Sequence, residues 1–236
     1  MSNDKETAKE PRPAYREYCY ACRRAKKNCL CAFIKPFATR MRLVILMHNK
    51  EAREQKTGTA RLAQLCLENS ELLIGSDFTG DERVNALLAD PAFAPFVLYP
   101  GPKAANFGAL GPDLLPPGKV PLVFVIDGTW RLARSLLFRS KNVYALPRLS
   151  FAGAYESRFA IKRQPMRHCV STIEAVYHLC NEAEAAGYEK LEGRNEVLMT
   201  LLGRLVAAHL PYRDGRGRKR EENRKKNAGA PRGPQK

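Results

Sequence analysis

The sequence predicts an α/β fold in which a mainly parallel sheet is flanked by helices, with a small cysteine-rich unit in front of it. Two observations lead to this prediction. Short apolar runs alternate with helical segments from residue 42 onward, and four of the seven cysteines fall within residues 19–31. Alternating strands and helices are typical of a parallel sheet whose crossover helices cover its faces. With 236 residues, 44% of them hydrophobic, the chain can bury one large core.

Five apolar runs, rich in branched and aromatic residues, are expected to form buried strands. They are Leu43–Met47, Leu72–Ile74, Phe96–Tyr99, Leu122–Ile126 and Val143–Leu146. The spacing of apolar residues and the helix caps predict the helices, which are Thr59–Glu68, a segment from the capping Asp81 through Leu88, Trp130–Phe138, Ser171–Ala186 and about Glu192–His209. Ser171-x-x-Glu174 is a capping-box pattern at a helix start.

Composition divides the chain into four parts. Residues 1–16 contain Lys, Glu and Pro without apolar periodicity, which predicts a disordered leader. Residues 17–36 hold the cysteines, and residues 37–211 hold the predicted α/β domain. Residues 212–236 carry ten Lys and Arg against three Asp and Glu, so we expect a basic disordered tail. This tail either contacts phosphates or is only a solvated, solubilising segment.

A net charge of +16, from 40 Lys and Arg against 24 Asp and Glu, predicts a polyanionic partner, with nucleic acid as the leading candidate. An anionic membrane surface is also complementary to this positive charge. However, no run approaches the ~18 continuous apolar residues of a spanning helix, and no basic-then-apolar signal segment opens the chain. We therefore expect a soluble, cytoplasmic protein.

Two closely spaced cysteine pairs, Cys19-x-x-Cys22 and Cys29-x-Cys31, offer four soft ligands. Each pair is able to span one edge of a tetrahedron, which is the geometry of a structural zinc site. The alternatives are four unrelated thiols in a reducing compartment or, with less support, an iron–sulfur cluster.

The other cysteines and the basic residues of the cluster have different expected roles. A metal-fixed basic loop is suited to gripping a folded RNA, and the loop residues concerned are Arg23, Arg24, Lys26 and Lys27. The scattered Cys66, Cys169 and Cys180 are expected to be inert core or helix residues.

Asp127-Gly128-Thr129-Trp130 follows an uninterrupted apolar run and precedes a predicted helix. The motif is therefore expected at the carboxyl end of a buried strand. In open α/β sheets, ligands bind in the crevice outside these strand ends, and a helix that starts there presents N–H groups to an anion. We expect the active site here. The alternatives are that Asp127 caps a helix and that Trp130, the only tryptophan, is a core residue.

Several blocks of sequence, in a fixed order, resemble the DTW-domain family. Asp127-Gly128-Thr129-Trp130 is similar to its D-x-T-W signature. The other blocks are His48-Asn49-Lys50-Glu51, Thr57-Gly58-Thr59-Ala60-Arg61-Leu62, Leu98-Tyr99-Pro100-Gly101, Ile161-Lys162-Arg163-Gln164-Pro165 and Ser171-Thr172-Ile173-Glu174-Ala175. The likeness spans roughly Cys19 to His209, and paired cysteines recur in members of the family. The chain departs from the usual pattern at Gly58, Ala60 and Lys162, which changes the expected anion contacts.

The resemblance implies a tRNA-uridine aminocarboxypropyltransferase. Such an enzyme moves the 3-amino-3-carboxypropyl group of S-adenosylmethionine to a ring nitrogen of a tRNA uridine and releases methylthioadenosine. The resemblance also implies a relationship to the SPOUT class of RNA-modifying proteins, whose sheet carries a deep knot that holds the cofactor. Two rival functions stay open, namely an RNA methyltransferase with the same donor and a non-catalytic zinc-knuckle factor for RNA binding or ribosome assembly.

The resemblance and the chemistry together assign roles to individual residues. The catalytic candidates are Asp127, Thr129 and Trp130, with Asp127 as general base or orienting acceptor and Trp130 as a stacking surface. The expected donor contacts are Tyr99, Pro100, Gly101, Asp127, Gly128, Ser171, Thr172 and Glu174. Candidates for tRNA phosphates are Arg53, Arg61, Lys162 and Arg163, and the first two are also candidates for the carboxylate of the donor.

Overall fold

The structure, a computed structural model, describes residues 17–54, 57–161 and 169–210. Its strands are β1 (Arg42–His48), β2 (Ser70–Gly75), β3 (Phe93–Leu98), β4 (Val120–Asp127) and β5 (Arg148–Leu149). They form one parallel sheet in the order β2-β1-β4-β3-β5. The predicted parallel α/β fold is confirmed.

Helices lie between strands in the sequence, and two more come after the last strand. They are α1 (Asn49–Glu54), α2 (Ala60–Cys66), α3 (Glu82–Ala89), α4 (Trp130–Arg139), α5 (Lys141–Tyr144), α6 (Thr172–Ala185) and a final helix over residues 196–210. Asp81 caps α3 as predicted, because its carboxylate accepts the Val84 N–H at 2.9 Å. The predicted capping box of Ser171 and Glu174 is also present at the start of α6.

One predicted strand is wrong. The segment Val143–Leu146 contains the end of α5, and the fifth strand comes after it. The buried Ser140 hydroxyl bonds to the end of α4, and the Ser140 carbonyl accepts the Tyr144 N–H at 2.8 Å, so the chain continues as a helical turn. Val143 reaches the core from that turn. A short apolar run does not distinguish a buried helical turn from a buried strand.

Helices cover both faces of the sheet, so the core has two layers. Along β1, Leu43 and Ile45 pack on the side of α2, α6 and the final helix, whereas Val44 and Leu46 pack on the side of α3, α4 and α5. This alternation follows from the two-residue period of a strand. Cys66, Cys169 and Cys180 are buried, as expected.

Several predictions concern residues outside the described ranges. The leader 1–16, the tail 212–236, and the candidates Lys162 and Arg163 all lie there. The knot stays a prediction, because residues 162–168 lie outside the described ranges. Among the described helices, none combines the length and the apolar character that a membrane crossing requires.

Candidate functional site

A cavity of about 590 Å³ opens at the carboxyl ends of the central strands. Residues at or just after the ends of neighbouring strands form its walls, because the carboxyl ends of parallel strands meet at one edge of the sheet. Residues that line it include Glu51 after β1, Tyr99 after β3, Asp127 at the end of β4, Trp130 at the start of α4 and Thr172 at the start of α6. The structure thus brings together segments far apart in sequence at the place predicted from the strand ends.

Asp127 is only 7% exposed and lies in the cavity wall. The Thr172 hydroxyl donates a short hydrogen bond to its Oδ1 atom, across 45 positions of sequence. β4 places this carboxylate beside β1, where Met47 is its register partner. A buried carboxylate with one oxygen held in place has a defined orientation, which is what a proton acceptor or an orienting group needs.

Arg61 lies within electrostatic reach of Asp127. Burial lowers the pKa of the half-buried Arg61 guanidinium, the charge of Arg23 lowers it further, and the Asp127 carboxylate opposes both effects. Arg61 is not among the residues that line the cavity, although Thr59, two positions earlier, is one of them. Arg53 is exposed at the end of α1 and is likewise not part of the cavity wall.

The motif residues after Asp127 shape the start of α4. Thr129 caps the helix, with its hydroxyl oxygen accepting the Leu132 N–H at 3.4 Å. A Cβ atom at Gly128 would lie 3.3 Å from the Ala133 nitrogen and from the Leu132 Cβ, so a side chain there would require its neighbours to shift by a few tenths of an ångström. Both residues line the cavity, and Thr129 has a structural role there in addition to its predicted catalytic one.

Two aromatic side chains form one side of the cavity mouth. Trp130 is 36% exposed, and its ring centroid lies 6.0 Å from that of Tyr99 in a tilted arrangement. Trp130 is therefore not the core tryptophan of the alternative interpretation. Pro100 lines the cavity beside Tyr99, but Gly101 does not, because it packs against the Arg148 side chain.

The amino end of α6 forms the opposite side, and its polar groups are largely paired within the protein. Ser171 and Thr172 line the cavity. The Ser171 N–H donates to Glu174, and the Ile173 N–H donates to the Thr59 hydroxyl at 3.3 Å. Fewer N–H groups of this turn are therefore available to bind an anion than the sequence predicted.

Glu174 does not line the cavity, contrary to its predicted role as a donor contact. It is 0% exposed, and its carboxylate accepts hydrogen bonds from the Ser157 hydroxyl, the Arg158 N–H and Ser171. These bonds attach the loop after β5 to α6. Glu174 therefore supports the cavity wall from the protein interior. Its oxygens already accept hydrogen bonds within the protein, so it is not a contact for the donor.

The loop after β5 is a part of the cavity that the sequence did not predict. Phe151, Tyr155 and Phe159 line the cavity from this loop. The Tyr155 ring stacks on His178 of α6 with a centroid distance of 3.7 Å, and its hydroxyl donates to Glu182 at 3.0 Å. The two aromatic residues that flank the Gly153 turn are the signal that would have identified this wall.

The four clustered cysteines come together as predicted. Their sulfur atoms all lie within 4.8 Å of one another, with 3.6 Å between Cys19 and Cys31 and 3.8 Å between Cys22 and Cys29. A zinc–sulfur bond length of ~2.3 Å gives a tetrahedron edge of ~3.8 Å, which these separations match. Two of the six sulfur–sulfur separations therefore match a tetrahedral site, and the four sulfur atoms are close enough together to hold one metal ion.

The thiols of the cluster differ in acidity. Hydrogen bonds from the Cys22 backbone, and then from the Cys29 thiol, lower the pKa of Cys19 to about 6. Burial raises the pKa of Cys31. A metal ion binds thiolates, and one thiol of this cluster already ionises near neutral pH.

Arg24 lies between the cysteine cluster and the cavity, which corrects the expectation that it faces RNA in the basic loop. It is 5% exposed, and its Nη2 atom donates to the Gly58 carbonyl at 2.7 Å. Gly58 and the adjacent Thr59 line the cavity. Burial lowers the pKa of Arg24, and the nearby sulfur of Cys22 opposes this effect. The cluster is therefore joined to the cavity wall by one buried guanidinium.

Comparisons with known proteins agree with this geometry. The profile of the DTW domain family matches residues 16–210. The tRNA-uridine aminocarboxypropyltransferase 2 proteins of Macaca fascicularis and Mus musculus are each 28% identical to this chain, over 81% of this chain and 62% of their own length. That of Drosophila melanogaster is 28% identical over 80% of this chain and 72% of its own length. The chain thus spans 62% of the mammalian relatives, and no solved structure matches it.

The family match covers most of the chain and includes both the cysteine cluster and every strand that contributes to the cavity. The D-x-T-W residues at the end of β4 all line this cavity. This protein belongs to the DTW domain family.

Proposed function

We propose that this protein is a tRNA-uridine aminocarboxypropyltransferase that uses S-adenosylmethionine as the donor. The observation that carries the proposal is the buried Asp127, oriented by Thr172 in the wall of the strand-end cavity. The names of the relatives support the same activity. The cavity volume of about 590 Å³ is within the range of roughly 300–1,000 Å³ typical of small-molecule sites.

The acceptor nitrogen of uracil carries a proton at neutral pH, so its attack on a carbon needs a base. Asp127 accepts this proton through the carboxylate that Thr172 orients. The nitrogen forms a bond to the γ-carbon of the donor, and the bond from that carbon to sulfur breaks. The electron pair stays on sulfur, so the leaving group is neutral methylthioadenosine and the charges balance.

Other residues of the cavity bind and align the reactants. Tyr99 and Trp130 offer aromatic faces at the mouth, where stacking on a base contributes about 1–3 kcal/mol. Arg61 lies near Asp127 and pairs with the carboxylate of the donor. Alignment contributes more than proton transfer to such a reaction, because a well-oriented pair gains as much as ~7–11 kcal/mol.

The tRNA is held by the positive charge of the chain. A net charge of +16 provides a long-range attraction for phosphates. Arg53 is exposed on α1, which begins directly after β1, and we propose that it contacts the RNA backbone together with Lys162, Arg163 and the basic tail. The exposed basic residues of the cysteine loop add to the same surface.

The cysteine cluster binds zinc in this proposal, and the metal has a structural role. Cys19, Cys22, Cys29 and Cys31 supply all four ligands of a tetrahedral site, which leaves no open position for a catalytic water.

Two labelled donors test the proposed reaction. Purified protein is incubated with tRNA and S-adenosylmethionine labelled either in the aminocarboxypropyl chain or in the methyl group, and the nucleosides are analysed by mass spectrometry. We expect the chain label in uridine, no methyl label, and release of methylthioadenosine. Transfer of the methyl label would instead identify an RNA methyltransferase. Binding of tRNA without transfer of either label would support a non-catalytic RNA-binding protein.

A further inference from the structure

We propose that a surface of aromatic and basic side chains beside the cavity mouth binds unpaired nucleotides of the tRNA next to the target uridine. This inference rests on the proposed function, and it adds the surface that holds the RNA and the kind of RNA that fits it. We name this surface the aromatic band. It consists of Trp130, Tyr99, Arg148, Tyr144 and Phe138.

The side chains of the aromatic band form a continuous series that begins at the cavity. The Trp130 and Tyr99 rings, with centroids 6.0 Å apart, both line the cavity. The Arg148 guanidinium lies over two rings, 5.6 Å from the centroid of Tyr99 and 5.4 Å from that of Tyr144. The Tyr144 ring meets the edge of the Phe138 ring, with 5.8 Å between their centroids. The aromatic band therefore leads from the proposed reaction site to the outer surface of α4 and α5.

The outer rings of the band are exposed to solvent. Phe138 is 60% exposed and Tyr144 is 43% exposed. Trp130, Arg134 and Phe138 follow one another at intervals of four residues in α4, so they lie along one face of that helix. Exposed rings that lie side by side, unlike scattered ones, are typical of a binding surface, because a partner that covers them removes apolar area from water.

Positive charge accompanies these rings. Residues 128–155 contain five Lys and Arg and no Asp or Glu. Arg134 lies within electrostatic reach of Tyr99, and the Lys141 ammonium lies 4.4 Å from the centroid of the outermost ring. Asp77, from another part of the chain, lies near Lys141 at the outer end of the band. Rings flanked by an excess of cations complement a partner that is anionic and has flat rings of its own, which is the chemistry of a nucleic acid.

The RNA on the aromatic band must be unpaired. Bases within a duplex stack on one another, so their faces are not available to a protein ring, whereas single strands bind by stacking bases on aromatic side chains while cations follow the backbone. The ring N–H of uracil donates a hydrogen bond in a base pair, so the target uridine must be unpaired as well. The band thus extends the single-stranded path that the reaction itself requires.

Three probes test the inference by fluorescence anisotropy. They are oligouridine, an abasic chain of the same length that has the phosphates without the bases, and polyglutamate. The double variant Phe138→Ala with Tyr144→Ala should bind oligouridine roughly tenfold to a hundredfold more weakly, as for the loss of base stacking. Its affinity for the abasic chain should equal that of the parent protein. Leu114→Ala is the control, because Leu114 is also an exposed apolar residue but does not line the cavity.

Two further measurements separate stacking from charge and from folding. Arg134→Gln should weaken the binding of oligouridine and of the abasic chain by similar factors, and it should reduce the salt dependence by about one phosphate contact. Both truncated rings of the double variant are exposed, so its circular dichroism spectrum and its midpoint of thermal unfolding should match those of the parent protein.

The other results each contradict a specific statement. Parent-like binding of oligouridine by the double variant would overturn the inference, and so would an equal loss for the abasic chain, since the rings would then not stack on bases. An equal loss for polyglutamate would overturn it in favour of an acidic protein partner. A parent protein that binds oligouridine through the two rings but transfers neither label to tRNA would refute the proposed function and leave the RNA-binding surface supported.

Discussion

The cysteine cluster and the strand-end cavity are built in opposite ways. The cluster takes all of its ligands from residues 19–31 of one loop, whereas the cavity takes its walls from segments between residues 51 and 175. A site made from one loop depends on local spacing, so its ligands are recognisable from the sequence. A site made from several strand ends depends on the sheet order, and only its individual motifs are recognisable.

The two regions are nevertheless in contact. Arg24 belongs to the cluster loop, and it donates to Gly58 in the cavity wall. Thr59 then accepts the Ile173 N–H at the start of α6, next to the Thr172 that orients Asp127. Within the described chain, the Arg24 Nε atom is buried without a hydrogen-bond partner, while its Nη1 and Nη2 atoms donate to the Cys22 and Gly58 carbonyls. The cluster is thus expected to support the cavity as well as its own loop.

The largest expected effect concerns the cavity alone. Asp127→Asn removes the proton acceptor and should lower the rate of tRNA modification by roughly 10²–10⁴-fold, the usual contribution of a general base. Zinc content and tRNA affinity should stay as in the parent protein. Nucleoside analysis of modified tRNA measures the rate, and the exposed Asp113→Asn is the control. Full activity in Asp127→Asn would exclude a role for Asp127 in the reaction.

The next effect concerns the cluster. Cys22→Ser removes one of four ligands and should abolish stable zinc binding, because a structural site needs all of its thiolates. Metal analysis of the purified protein measures the loss. Cys169→Ser is the matched control, since Cys169 is equally buried but remote from the cluster in sequence. Retention of zinc by Cys22→Ser would show that the four cysteines do not form one site.

A third variant tests the connection between the two regions. Arg24→Met keeps much of the side-chain volume but removes the hydrogen bond to Gly58. We expect zinc to remain bound and the affinity for S-adenosylmethionine to fall about fivefold, equivalent to ~1 kcal/mol for one hydrogen bond.

Calorimetry measures this affinity, and the exposed Lys27→Met in the same loop is the control. An affinity equal to that of the parent protein would mean that the cluster and the cavity act independently.

A fourth effect, comparable in size to that of Arg24→Met, is at the carboxylate itself. Thr172→Val removes the hydroxyl that orients Asp127 and should slow the reaction about fivefold to tenfold, as for a single lost hydrogen bond. Thr172→Ser keeps a hydroxyl and should retain most of the activity. Equal rates for the Val and Ser variants would show that orientation by Thr172 is unimportant for transfer.

Local patterns predicted much of this protein. The alternation of apolar runs identified β1 to β4, and the spacing of the cysteines identified the cluster. Asp81 and the Ser171–Glu174 pair marked helix starts because capping depends on neighbouring residues only. The segment Val143–Leu146 was misassigned because helix and strand bury a short apolar run equally well.

The site was predicted only in part, because local patterns do not show which distant segments the fold brings together. Asp127 and Trp130 followed a recognisable strand, so their position at the cavity was expected. Arg24 looked like one more basic residue of a solvated loop, and its burial depends on a carbonyl 34 positions away. Phe151 and Tyr155 flank Gly153 in a loop that the pattern of apolar runs did not single out, and they line the cavity and stack against His178 of α6.

The sequence by itself determined the cysteine cluster, the class of fold and the strand end that carries Asp127, because each depends on spacing along a continuous stretch of chain. Only the tertiary structure decided which side chains share the cavity with Asp127, and that Glu51 lines it while Glu174 does not. The order of the strands and the packing of α6 set these proximities. Both arise from burial of the whole core, which no single segment encodes.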